Sequence, residues 1–209
     1  FLFNKLGYSV RAALSKAHVF VLFQSEKIIY DTPIYTIGGE KFFLLSEYAK
    51  GSKDKIYTYS KDYPEANKKF DLSLSMHPNF PLYMFEKKLS FKNDGEVYDF
   101  TYQYNKNLID FMATYPQADY ETFFNAPLSE ETFKDIVNDL RKHINGKKSS
   151  EAINFILHFV QNAFEYQVDA EQFGREKVMF AEETLYYKKS DCEDRAILFA
   201  YLVKKLLNI

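Results

Sequence analysis

Apolar residues come in short blocks over the first fifty positions. Phe1–Leu6 reads as the end of a helix stopped by Gly7, since glycine accepts the left-handed conformation of a helix terminus. Ala17-His-Val-Phe-Val-Leu-Phe-Gln24 has strand length and is too apolar to have a solvent face. Ile28–Tyr30 and Ile34–Ile37 follow across the Asp31-Thr-Pro33 turn, and Gly38-Gly39 reverses the chain into Lys41–Leu45 as a hairpin. The polar stretch Lys50–Asp54 reads as a linker. Beyond it Phe70, Leu72, Leu74 and Met76 alternate with polar neighbours, the period of a half-buried strand, which His77-Pro-Asn-Phe-Pro81 ends. Leu89–Lys92 and Glu96–Tyr104 flank Asn93-Asp94-Gly95 as a second hairpin, so the middle third reads as a sheet or small sandwich.

From Leu128 the period becomes helical. Ser129 caps a helix that carries Glu130 and Glu131 in its first turn, where the helix dipole favours carboxylates. Its stripe is Phe133, Ile136, Val137, Leu140 and Ile144, and Gly146 stops it. Ser149 or Ser150 opens a second helix with Ile153, Ile156, Leu157, Val160 and Phe164 on one face. A long loop, Glu165 to Ser190, precedes a last helix from Asp191 to about Leu207; loops of that length in compact domains are functional or carry short elements of their own. The predicted fold class is α+β: a β unit over 1–50, a β module over 51–127 and a helical part over 128–209.

Composition narrows the function. The 209 residues are 46% hydrophobic, enough to fill a core, and the net charge of −2 leaves no basic footprint for nucleic acid. No apolar run approaches the ~20 residues of a membrane span, and nothing at the start reads as a signal peptide. A chain that begins at Phe1 is expected to be a processed or excised piece. Seventeen Tyr and twenty-one Phe with no Trp suit short half-buried strands, although a compositional habit of the source explains them equally well. No His, Cys or Asp spacing matches a zinc or EF-hand site, and no glycine loop cradles phosphate, so neither metal nor cofactor is expected. The Tyr57, Tyr59 and Tyr63 cluster has the chemistry to stack on sugars or peptides, but strand packing explains it more cheaply.

The single cysteine concentrates any thiol chemistry at Cys192. Ser190-Asp-Cys-Glu193 fits a capping box, which sets Cys192 at the second helical position, on the face of Ala196, Phe199, Ala200 and Val203. That face reads as the core stripe, so the thiol is expected to point inward at the helix mouth. The helix tip favours negative charge on sulfur and on an oxyanion, whereas Asp191, Glu193 and Asp194 oppose it unless solvated or paired, for instance with Arg195. A histidine partner is required to complete such chemistry. A lone cysteine is also commonly an inert core residue.

Phe159-Val-Gln-Asn-Ala-Phe-Glu-Tyr166, then Phe173-Gly, Ala181-Glu-Glu-Thr-Leu185 and Ser190-Asp-Cys-Glu-Asp-Arg-Ala-Ile-Leu-Phe-Ala200, closely resemble the transglutaminase-like superfamily of papain-like cysteine enzymes. The resemblance covers about Ser149 to Ile209, with Asp191-Cys-Glu-Asp-Arg-Ala196 as its most specific part. It implies that residues 128–209 are the helical, cysteine-bearing half of such a core and that Cys192 is the nucleophile of acyl transfer or amide hydrolysis. It further implies a peptide or peptidoglycan-like amide substrate, by analogy a cell-envelope setting, and a structural role for the flanking acids. The alternative is a non-catalytic binding module that keeps the fold.

Family members follow the cysteine helix with strands bearing a histidine and an aspartate, and this chain reaches Ile209 before either. Residues near the start resemble that missing half. Val10-Arg11 is similar to the first strand after the cysteine helix, His18-Val-Phe20 to the histidine strand and Asp31-Thr-Pro33 to the aspartate turn thirteen residues on. Three readings stay open. Residues 1–50 are a degenerate earlier copy, with the true histidine and aspartate beyond Ile209; or His18 and Asp31 complete Cys192 as a permuted core; or the likeness is chance. His77, in a turn, His143, near a helix end, and His158 carry less weight.

Overall fold

The computed structural model describes residues 1–16, 18–44, 46, 55–61 and 63–209. The polar break at 50–54, with Ala17 and Leu45 at the ends of two expected strands, lies outside them. The architecture is α+β, with antiparallel sheets and separate helices, and the chain divides into two compact units: residues 1–72 with 116–119, and residues 73–115 with 120–209.

The first unit opens with a short helix, α1 (Leu2–Lys5), closed at Gly7, whose φ of 88° lies in the left-handed region. Five strands follow: β1 (Val10–Leu14), β2 (Val19–Phe23), β3 (Ile34–Ile37), β4 (Glu40–Leu44) and β5 (Tyr57–Thr58). They form one sheet in the order β3-β4-β2-β1-β5, every pairing antiparallel. Gly38 and Gly39 both take positive φ in the predicted β3–β4 hairpin. Ala13, Phe20, Leu22, Phe42 and Leu44 form the core, all on one face of the sheet.

Three expectations here are corrected. β2 does have a solvent face: Val19 is 71% exposed and Val21 53%, while Phe20 and Leu22 alternate inward. Ile28–Tyr30 is not a strand, because its partner is a loop; Ile29 makes a single bridge to Ala118, and Tyr30 N–H donates to the Gln117 carbonyl at 2.8 Å. Lys69–Met76 forms no ladder. Phe70 bridges to Ser25 and stacks on Tyr8 at 4.5 Å, Leu74 is buried, and Met76 is exposed. An alternating pattern specifies a strand only where a free sheet edge receives it.

The second unit is built on a long hairpin, β6 (Met84–Asn93) and β7 (Glu96–Asn105), paired along its whole length. Asp94 and Gly95 both take positive φ in its two-residue turn. Two helices occupy the stretch read as all β. In α2 (Lys106–Ala113) the Asn105 side chain caps the start, and Leu108, Ile109 and Met112 face inward at helical spacing; α3 (Tyr120–Asn125) follows. Ser129 caps the next helix as predicted, its hydroxyl accepting from Thr132 N–H at 3.3 Å. This helix runs through α4 (Glu130–Thr132), a π turn at Phe133–Val137 and α5 (Asn138–Ile144). α6 (Ser149–Asn162) buries Ala152, Phe155, Ile156, Phe159 and Val160, a face turned somewhat from the expected one.

The long loop does carry elements: β8 (Glu165–Tyr166), α7 (Asp169–Gln172), α8 (Ala181–Tyr186) and β9 (Lys189–Ser190). α9 (Cys192–Leu207) closes the chain and packs against α6 and α8. The aromatic surplus has a use here. Phe91 and Phe100 of the hairpin meet Phe159 edge-on at 5.5 and 5.3 Å, and Phe91 meets Phe155 at 5.4 Å. Such edge contacts each add about 0.5–1.5 kcal/mol beyond burial.

Candidate functional site

Parallel pairing of β8 with β9 sets Tyr166 opposite Ser190, so the aromatic end of α6 and the start of α9 meet at one place. The predicted capping box is not formed. Asp191 is the N-cap, extended at φ −102° and ψ −158° and without a side-chain cap bond, and Cys192 is the first helical residue. Ser190 is unavailable as a cap because its backbone belongs to β9 and its Oγ accepts from Arg195 Nε at 3.1 Å. Nor does Arg195 pair with the acids. Its Nη1 donates to the Gln161 carbonyl at 3.3 Å and its Nη2 to the Phe164 carbonyl at 2.9 Å, satisfying the carbonyl end of α6, while its guanidinium lies over the Tyr166 ring.

The inward thiol is also corrected. α9 buries Asp194, Ile197, Leu198, Tyr201 and Leu202, so the face of Cys192 and Ala196 is exposed. Cys192 is a free, exposed cysteine. The Tyr166 phenol lies beside the sulfur, whose charge holds it above its ordinary value. The first intrahelical bond runs from Arg195 N–H to the Asp191 carbonyl, so the preceding N–H groups of α9 are outside the helical ladder, on the sulfur's own turn.

Buried polar groups fix the loop that frames this turn. Lys177 Nζ meets Glu183 Oε1 at 2.6 Å with both side chains buried, and Glu183 also accepts from Phe180 N–H at the start of α8. Burial raises Glu183, and Lys177 opposes this. Glu182 accepts from Ser129 N–H, Ser129 Oγ and Thr132 Oγ1, binding α8 to the start of α4. At the other end of α8, Lys87 Nζ donates to the carbonyls of Leu185, Tyr186 and Tyr187, and the Tyr102 hydroxyl donates to Leu185 at 2.6 Å. Burial pushes Lys87 down to about 8.

Acids crowd the sulfur's helix tip. Asp194 is fully buried and its Oδ1 accepts from Met179 N–H at 2.8 Å; Asp169 Oδ2 accepts from Lys177 N–H at 2.7 Å. Asp169, Asp191 and Glu193 bring carboxylate oxygens within 4.8 Å of one another, close enough to share a cation. Desolvation first, and then repulsion from neighbouring acids, Asp169 beside both, raise Asp191 and Asp194 above the ordinary carboxylate range. Asp169, twenty-two residues before Asp191, was not singled out by the sequence. Nothing in spacing marks it; only the β8–β9 pairing brings α7 to the helix start.

The structure thus gathers Cys192, Tyr166, Asp191 and Glu193 at one tip. His18 and Asp31 belong to the first unit. His18 is exposed beside the β1–β2 turn, its N–H donating to Ser15 Oγ at 3.2 Å, and Asp31 takes a left-handed φ of 52° in the turn before β3. In the sheet β4 lies between β2 and β3. The second unit's histidines are placed elsewhere: His143 packs on Tyr98 and Phe155, His158 pairs with Asn93 Oδ1, and His77 lies near Glu182. Tyr59 and Tyr63 meet edge-on at 6.0 Å in the first unit. No described helix is long and apolar enough to cross a membrane. Compared with models of known families, with curated proteins and with solved structures, the chain matches none.

Proposed function

We propose that the chain carries the nucleophile of a transglutaminase-like, cysteine-dependent amide-processing enzyme. The observation that supports it is an exposed sulfur on the first turn of the sixteen-residue helix α9, beside the Tyr166 phenol. In this reading Cys192 Sγ attacks the carbonyl carbon of a peptide-like amide. The free N–H groups of the first turn hold the oxyanion, the C–N bond breaks as the amine takes up a proton, and a thioester remains. Water or a second amine then takes the acyl group and the thiol is restored. The proton transfers of this step call for a histidine oriented by an acid.

A second reading, a binding module that keeps the fold without turnover, is favoured by one observation: the polar groups set around the sulfur are Tyr166 and carboxylates, with His158 and His143 engaged away from it and His77 near Glu182. One experiment separates the two. The only cysteine makes thioester formation readable by intact mass. The folded chain is treated with an activated ester alongside a peptide of residues 186–198, and hydroxylamine then reverses the adduct. The enzyme reading predicts acylation at least about tenfold faster than the peptide, the scale of one oxyanion donor or less. Acylation no faster than the peptide rejects it and leaves the module.

A further inference from the structure

The core face of the first unit's sheet changes character at one end. Ala13, Phe20, Leu22 and Leu44 fill it with apolar side chains. Two residues further along β1, β2 and β4 the same face continues as Arg11, Gln24 and Phe42, with Glu40 beyond. Charged and amide side chains seldom occupy such a face. Here they line an open cavity of about 400 Å³, and Tyr63, Asn67 and Lys69 from the chain that follows β5 complete the lining. That volume falls within the roughly 300–1,000 Å³ of small-ligand sites. Every residue of the lining belongs to the first unit, so the cavity is independent of the chemistry at the sulfur.

Its polar groups are held in place. Gln24 is 6% exposed and its backbone is fixed on both sides, the N–H donating to the Ser9 carbonyl at 3.1 Å and the carbonyl accepting from Phe70 N–H at 2.9 Å. The Gln24 amide donates to Glu40 Oε2 at 3.0 Å, and Lys69 Nζ stands 4.0 Å from the same carboxylate. The Arg11 guanidinium lies 5.7 Å from the centre of the Phe42 ring and 5.4 Å from that of Tyr59, and its Nη1 donates to the Tyr59 carbonyl at 3.0 Å. Side chains fixed in this way lose little further freedom when a ligand arrives. Strand packing accounts for Tyr57 alone of the tyrosine cluster, since β5 ends at Thr58. Tyr59 steadies Arg11, and Tyr63 faces the cavity.

We infer that this cleft, lined by Arg11, Gln24, Glu40, Tyr63, Asn67 and Lys69, binds a neutral pyranose sugar. Charge decides first. An anion would meet Arg11 and Lys69 but be opposed by Glu40, and a cation would meet Glu40 but be opposed by the two bases. A neutral ligand is opposed by none of them. Hydrogen bonding decides next. Arg11 and Lys69 only donate, Glu40 only accepts, and the amides of Gln24 and Asn67 do both. A hydroxyl also does both, so a ring that carries several hydroxyls can satisfy every one of these groups at once. The C–H groups of such a ring need an apolar surface, which Tyr63 and Ile37 supply in the same lining.

Saturation-transfer-difference NMR on the intact chain reads such binding even when it is weak. Glucose, galactose, mannose and N-acetylglucosamine are each titrated, with glucuronate, glucosamine and trialanine as anionic, cationic and peptide controls. The expected result is saturation of the ring protons of at least one neutral sugar, at an affinity weakened about fivefold or more in Gln24→Leu and in Tyr63→Ala, the scale of one hydrogen bond or one aromatic contact. Tyr63 is exposed, so Tyr63→Ala keeps the fold, which circular dichroism verifies, and it decides the matter even where Gln24→Leu unfolds. Absence of saturation from all the neutral sugars overturns the site. So does saturation confined to glucuronate, glucosamine or trialanine, or sugar binding that Tyr63→Ala leaves at full affinity.

Discussion

Replacing Arg195 with methionine tests how the site is held together. The side chain contributes three hydrogen bonds, to Ser190 Oγ, the Gln161 carbonyl and the Phe164 carbonyl, at 3.1, 3.3 and 2.9 Å, and a cation–π contact 5.6 Å from the Tyr166 ring centre. Hydrogen bonds to charged groups contribute about 1.5–3 kcal/mol each when short and buried. Only the Phe164 bond combines short length with partial burial, while the Gln161 bond is long and exposed. Discounting those, Arg195→Met should destabilise the second unit by about 3 kcal/mol, with the methionine stem keeping the packing. Urea denaturation followed by circular dichroism measures this. The loss should be unchanged in 1 M salt, because the acceptors are neutral carbonyls and a hydroxyl; an arginine paired with Asp191 or Glu193 would instead lose most of its contribution to screening, which is nearly complete beyond about 3 Å at that ionic strength. A loss under about 0.5 kcal/mol, the range of ordinary surface changes, refutes the assignment. A loss that vanishes in salt restores the ion-pair reading.

Two further outcomes follow from the packing and charge of the second unit. Phe159, fully buried with Phe91, Phe100 and Phe164 around its ring, should cost about 3–5 kcal/mol when replaced by alanine, read from the urea midpoint, and a cost below about 1 kcal/mol would remove α6 from the core. Lys87 releases its proton near 8 in the fold and near 10.5 unfolded, so the unfolded chain binds more protons between those values and stability should rise from pH 8 to pH 10. In Lys87→Met that rise should disappear; an identical pH profile contradicts the burial of this ammonium.

What the sequence made legible was local. The Ser129 cap, the Asp94-Gly95 turn and the Gly38-Gly39 reversal each depend on a few neighbouring residues, and each is formed. The site was misread because its determinants are distant. Ser190 looked like a cap, but β8 claims its backbone and Arg195 its hydroxyl. α9 is apolar on more than one side, so periodicity admits the stripe of Ala196, Phe199 and Val203 as readily as that of Ile197, Leu198, Tyr201 and Leu202. What decides is Asp194, a carboxylate that counts as polar in any pattern yet is sealed against the Met179 amide. The same blindness hid α2, whose start is set by the Asn105 side chain at the end of a strand. It also made a strand of Lys69 to Met76, where Phe70 makes one isolated bridge and no ladder forms.

The account rests on the Cys192 sulfur facing outward at the tip of α9, and the rate at which iodoacetamide alkylates that single thiol tests it most directly. Against a peptide of residues 186–198 at the same pH, the folded chain should react at a comparable or greater rate, and fully so without denaturant. Protection of about a hundredfold, relieved only by unfolding, is the behaviour of a buried inert cysteine and would contradict the placement on which the proposed chemistry depends.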